Sequence, residues 1–185
     1  MYIQFEEAPI ARYFFANTRI AVLWLIVRLY VGWQWFEAGW GKLHSPAWIG
    51  SESGQALNGF VSNALSKTSG PHPDVQGWYG HFLENIVLAN PSLWAHVVTF
   101  AEITIGIALI VGIFTGIAAF FGLFMNFNFL LAGAVSVNPI LAFLGVFLVL
   151  AWKIAGYIGL DRFVLPLLGT PWKPGTIFTH KENKT

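Results

Sequence analysis

Four ionisable side chains sit inside long apolar runs: Arg28, Glu37, Glu102 and Lys153. Lys42 and Asp161 stand at the edges of such runs. An ionisable group in hydrocarbon costs about 2.5–3.5 kcal/mol on insertion scales. Each of the four must therefore face a protein interior, find a partner or neutralise. Their formal charges sum to zero, so mutual pairing is open to them. At about 1.5 Å per helical residue, Arg28 lies about 13–15 Å inside its run. Glu102 enters from the opposite side and reaches a similar mid-depth. Depth therefore pairs Arg28 with Glu102. Lys153 is placed to snorkel toward the nearer interface. Glu37 is the least compensated charge, because Lys42, five residues on, is not an ideal helical partner.

Other polar and aromatic groups gather near these charges. Arg28, Gly32, Trp35, Gly39 and Lys42 recur every three or four residues and form one helical stripe. Trp33, Glu37 and Trp40 lie on another side. Glycines on such a stripe let helices approach closely. Asn126 and Asn128 are two residues apart and so point to different sides of a helix, one toward a neighbouring helix and one toward a cavity. His44, His72, His81 and His96 are spaced like no metal-ligand motif, so no metal is expected. The chain has no cysteine, which removes disulfides, thiolate metal sites and dithiol chemistry from it.

These residues need elements to hold them. The 185 residues are 56% hydrophobic and 10% charged, with a mean hydropathy of +0.61. A soluble domain carries roughly 25% charged residues. A net charge of +1 gives no electrostatic footprint for nucleic acid. A helix needs about 20 apolar residues to cross a bilayer. Residues 18–42, 93–112, 116–137 and 140–160 are the predicted spans, forming an all-α membrane protein with a four-helix antiparallel bundle in one domain over residues 1–185. The first run is too long for a signal h-region and is read as a retained span. Arg12 and Arg19 precede the first span, and Arg162, Lys173, Lys181 and Lys184 follow the last. That bias places both termini in the cytoplasm. The loop at about residues 44–91 then lies outside. Within it, Ala56, Leu57, Phe60, Val61, Ala64 and Leu65 repeat at helical spacing, as do Trp78, Phe82, Ile86 and Val87. Two short amphipathic helices, either a lid over the bundle or a gate over a site, are expected there.

Several stretches carry a family likeness in order along the chain. They are Arg28-Leu29-Tyr30-Val31-Gly32, Ala38-Gly39-Trp40-Gly41-Lys42, His72-Pro73-Asp74-Val75-Gln76-Gly77-Trp78, Ala101-Glu102 and Gly122-Leu123-Phe124-Met125-Asn126-Phe127. Phe82-Leu83-Glu84, Val137-Asn138-Pro139 and Ala155-Gly156-Tyr157-Ile158-Gly159-Leu160-Asp161-Arg162 complete the set. With these the chain resembles the DoxX/DoxD family of small four-helix membrane proteins. Within that family it resembles the large membrane subunit of thiosulfate:quinone oxidoreductase.

The resemblance implies a bacterial or archaeal cytoplasmic membrane, quinone as a substrate, thiosulfate oxidised to tetrathionate, and a small partner subunit. A quinone pocket requires an aromatic cleft reachable from lipid and a proton donor near the ring oxygens. Under this implication Glu37, Glu102 and Arg28 are the catalytic candidates, with Trp35 and Trp40 beside the ring. Thiosulfate calls for cationic or amide donors, here Lys42, His44, His72, Asn126 and Asn128. Three readings stand side by side: a quinone-linked oxidoreductase subunit, a non-enzymatic organiser of a redox partner complex, and a small-solute or lipid-handling protein. The glycine-rich faces also permit a homo-oligomer.

Overall fold

The computed structural model describes residues 8–169, and all its elements are helical. Lys173, Lys181 and Lys184, which entered the orientation argument, lie outside the described residues. A short helix α1 (Pro9–Ala16) precedes a 3-10 turn whose Arg19 N–H donates to the Asn17 side chain at 3.0 Å. The turn runs into the long helix α2 (Ala21–Leu43). Two cap helices follow, α3 (Gln55–Ser66) and α4 (Gly77–Phe82), the latter continuing as a π turn over Leu83–Val87. Then come α5 (Pro91–Val111), α6 (Thr115–Leu131), α7 (Asn138–Leu150) and α8 (Asp161–Leu167).

Thr18–Leu43 and Pro91–Val111 are long and apolar enough to cross a membrane. Helices α6 and α7 are apolar but shorter, at 17 and 13 residues. Local chemistry sets these ends. Asn90 caps α5 by accepting from the Leu93 N–H at 3.1 Å, and Pro91 occupies its first turn. Gly112, at φ +71°, ends α5 in the left-handed region that glycine adopts without strain. The predicted third span overran: α6 stops at Leu131, and Gly133 at φ +70° turns the chain. The predicted fourth span overran further. Helix α7 ends at Leu150, and residues 151–160 form turns that fold back under the α5–α6 connection. There the Leu160 N–H donates to Val111 O at 3.2 Å and the Asp161 N–H to Gly112 O at 2.7 Å.

Helix α2 packs along α5, and α6 along α7. The predicted stripe on α2 is its packed face: Arg28, Gly32, Trp35 and Gly39 are all buried. A Cβ on Gly106 would stand 2.5 Å from the Phe36 nitrogen, and one on Gly39 would stand 2.8 Å from the Ile103 nitrogen. These two glycines thus serve the close contact of α2 with α5 within the monomer. Backbone cannot step aside as a side chain can. Gly106→Val is therefore expected to cost at least about 1–3 kcal/mol, read as a lowered unfolding midpoint in detergent micelles.

Two cores result. One joins α2, α5, α6, α7 and residues 151–155 around Trp35, Ile105, Leu109 and Leu148. The other lies under the cap, between α3, α4, the start of α5 and the end of α6. In α3 the predicted stripe is buried at Leu57, Val61 and Ala64. In α4 it is shifted by one residue. Tyr79, Leu83 and Val87 are buried, while Trp78 and Ile86 are exposed. Two apolar stripes overlap there, and the Tyr79 hydroxyl selects one by donating to Asn128 O at 2.9 Å.

Candidate functional site

Glu102 does not pair with Arg28. Its carboxylate, 1% exposed, accepts from Lys42 Nζ at 2.8 and 2.6 Å. The helix register explains the correction. Gly39 lies against Glu102 and Ile103, Gly106 against Phe36, and Gly32 against Leu109. Continuing that antiparallel register places Arg28 level with Gly112, far from Glu102. Side-chain direction does the rest. Helical side chains lean toward their own N-terminus. Lys42 near the end of α2 therefore leans inward, while Glu102 on the antiparallel α5 leans toward it. Lys42 also lies 5.0 Å from the Trp48 ring centre, so the cap loop covers the pair.

Arg28 belongs to a second polar node at the opposite end. Its Nη2 donates to Ile158 O at 2.8 Å. Gly112 and Gly159 leave room for the guanidinium, since a Cβ on either would run into Nη1. Asp161, fully buried, accepts from the Phe114 N–H at 2.6 Å and the Thr115 N–H at 2.9 Å. Those are two of the open N–H groups at the start of α6, where negative charge is favoured. Asp161 was read from sequence as an edge residue, yet it caps a helix 46 residues upstream. Its charge also acts on Arg28.

Between the nodes, on the other side of α5, opens a cavity of about 800 Å³. It lies between α5 and α6 and under the cap helices. Helices α5 and α6 are joined by a tight turn but touch over far less of their length than α2 and α5 do. They splay, and the cleft fills the splay. Val97, Ala101, Ile105, Ala118 and Met125 form its walls. Phe100, Phe121 and Phe124 line it too and are half or more exposed, which opens it sideways. Its polar lining residues are Thr104, Tyr79 and Asn128. The last two meet at the cap end, where the Tyr79 hydroxyl also approaches Asn128 Oδ1 at 3.1 Å. Burial pushes the Tyr79 pKa up to about 12, so the phenol stays a neutral donor. Ile113, Phe114 and Ile117 close the far end.

The remaining sequence-derived candidates scatter. Trp35 is buried in the bundle core, its ring stacked on Phe129 at 6.3 Å. Asn126 is buried, and among the described residues its Oδ1 has no hydrogen-bond partner. Trp40 is half exposed, stacks on Phe36 and contacts the His44 ring at a tilt. His44 and His72 are exposed. Glu37 is exposed on the face of α2 that turns away from α5. Of the sequence candidates, only Asn128 lines the cleft. Tyr79 and the cleft phenylalanines were missed. Their spacing on α5 and α6 reads as core or lipid face, and only the splay of the two helices makes them walls. Among the described residues, no group of three or more His, Asp or Glu side chains could hold a metal ion.

No curated protein and no solved structure matches the chain. The sequence model described as DoxX matches residues 23–134, more than half of the chain. That stretch contains all but the first two residues of α2, together with α5, α6 and the cap, hence the Lys42–Glu102 pair and every lining residue of the cleft. The chain belongs to the DoxX family and is a membrane protein.

Proposed function

We propose that this DoxX protein binds a quinone dissolved in the bilayer, in the cleft between α5 and α6, as the membrane subunit of a quinone-linked oxidation. Helices α2, α5, α6 and α7 make four crossings, with both termini in the cytoplasm and the cap outside. The observation that carries the reading is the cleft itself: long, apolar, open sideways to lipid, with hydrogen-bonding groups at one end. An isoprenoid tail suits the carbon walls, and a ring oxygen suits the Asn128 amide, whose second N–H is left over from its bond to Phe124 O and whose side chain Tyr79 holds in place. The ring then sits toward the outside. Thiosulfate is the reductant that the family likeness suggests. Two thiosulfates each give up one electron and join through a new S–S bond. The quinone takes those two electrons and two protons to become the quinol.

The chain's own residues bind and orient the quinone. Lys42 donates to both oxygens of the Glu102 carboxylate, which supports a reading in which Glu102 holds the bundle together and protons reach the cleft by another route. The oxidation itself is therefore assigned to a small partner subunit docked outside. That same pairing favours a second reading, a purely organising subunit, in which quinone binds nowhere and the cleft holds lipid chains.

Thr104→Trp places an indole in the cleft from an exposed wall position. It is expected to weaken binding of a short-chain quinone at least about tenfold, or 1.4 kcal/mol, with the unfolding midpoint little changed. Quenching of tryptophan fluorescence, to which Trp94 in the wall contributes, reports the binding. Thiosulfate-dependent quinol formation by the purified protein, alone and with candidate partners, tests the reaction. Binding without turnover in either case removes the enzyme reading and keeps the site. Equal displacement by phospholipid alone supports the organising reading.

A further inference from the structure

Ile26, Tyr30, Trp33, Glu37 and Trp40 on α2, and His44 at its C-cap, follow one another at steps of four, three, four, three and four residues. All six are exposed. Such spacing keeps a single seam facing a neighbouring helix over its whole length. The opposite face of α2 is spent on α5 and the bundle core. The seam is also stiff. Trp33 contacts Phe36 at 6.1 Å, Phe36 stacks on Trp40 at 5.5 Å, and Trp40 contacts His44 at 4.5 Å.

Aromatic side chains near an interface are ordinary in membrane proteins. Glu37 is not ordinary. It lies six residues inside the end of α2, about 9 Å along the axis. It is exposed, with the exposed Trp33 and Trp40 one turn away on either side along the same stripe. Among the described residues, no cation pairs with it; the ion pair there is Lys42–Glu102. An outward carboxylate at that depth calls for a cation from another molecule.

We infer that this stripe of α2 is the docking seam for a membrane-spanning helix of a partner protein, and that the docked helix carries a lysine or arginine level with Glu37. Charge complementarity selects that occupant over a second copy of this chain. A two-fold, parallel pairing of α2 with itself would set Glu37 against Glu37, and like charges so placed repel. The inference does not depend on the cleft, which lies on α5 and α6.

The absence of cysteine makes the test clean. Trp40→Cys places a thiol on the seam, one turn from Glu37, and Ala38→Cys places one off it. Each is reconstituted in phosphatidylcholine vesicles with a synthetic leucine-rich spanning peptide. The peptide bears one lysine at the depth of Glu37 and one cysteine a turn outside it; a control peptide has leucine in place of lysine. The expected result is at least about tenfold more cross-linking of Trp40→Cys to the lysine peptide than to the control. Adding Glu37→Gln should reduce it to the control level, and Ala38→Cys should cross-link weakly. Equal cross-linking to both peptides, to neither, or unchanged by Glu37→Gln overturns the inference. Preferential cross-linking of two Trp40→Cys chains to each other overturns it in favour of a second copy. None of these outcomes bears on quinone binding.

Discussion

Replacing Lys42 with methionine is expected to destabilise the bundle by about 3–5 kcal/mol, among the largest effects available to a single substitution in this chain. Methionine keeps most of the lysine stem and so isolates the loss of charge. What remains is Glu102, 1% exposed on the packed face of α5, without its cation. Removing one partner of a buried pair costs far more than removing both. The double variant Lys42→Met, Glu102→Leu is accordingly expected to recover most of the loss. Glu102→Gln should cost less than Lys42→Met, because the Lys42 side chain is 19% exposed and can turn toward water. Denaturant unfolding of the four proteins in one detergent gives the double-mutant cycle directly. A Lys42→Met protein as stable as the parent would show that the pair contributes nothing.

The second large effect is expected at Asp161. Asp161→Ala withdraws two acceptors from the N–H groups of Phe114 and Thr115 at the start of α6. Loss of a helix cap costs about 0.5–2 kcal/mol. It also removes the nearby anion from Arg28, which is 2% exposed and whose Nε and Nη1 have no hydrogen-bond partner among the described residues. An uncompensated buried charge brings the expected total to about 3–5 kcal/mol. Asp161→Asn keeps one good acceptor for the helix start and should lose less, about 1–3 kcal/mol. Hydrogen exchange at Phe114 and Thr115 should accelerate in both variants, more in the alanine. If exchange there is unchanged in Asp161→Ala, the cap does not hold the α5–α6 turn.

The long helices were legible because their signals are local. The predicted limits 18–42 and 93–112 fall within two residues of Thr18–Leu43 and Pro91–Val111. Apolar run length and the Asn90-Pro91 start are enough for that. The later limits failed because an apolar run does not have to stay helical. Val135 and Val137 extend the run past Gly133, whose left-handed backbone ends the helix regardless. Residues 151–160 are as apolar as a span, but tertiary hydrogen bonds to Val111 and Gly112 hold them as turns.

The charged residues were legible as a set and not as pairs. The stripe on α2 correctly marked the face that packs against α5. Its partners depend on register, which glycine contacts set: Gly39 against Glu102, Gly32 against Leu109. A depth measured from the start of each run cannot supply that, because α2 and α5 do not begin and end at the same level. The cleft was less legible still. Phe100, Phe121 and Phe124 have the same spacing whether α5 and α6 lie together or diverge. Their divergence is a property of the whole bundle and its cap.

The central claim is that a quinone occupies the α5–α6 cleft with its ring at the cap end. A quinone carrying a photoreactive group on its ring, activated in vesicles with the intact protein and mapped by peptide mass spectrometry, tests it most directly. The account predicts label concentrated on Tyr79, Phe82 and the outer ends of α5 and α6, reduced by excess unlabelled quinone and by Thr104→Trp. Label spread over every lipid-facing helix in proportion to exposure, and untouched by either competitor or substitution, would contradict it.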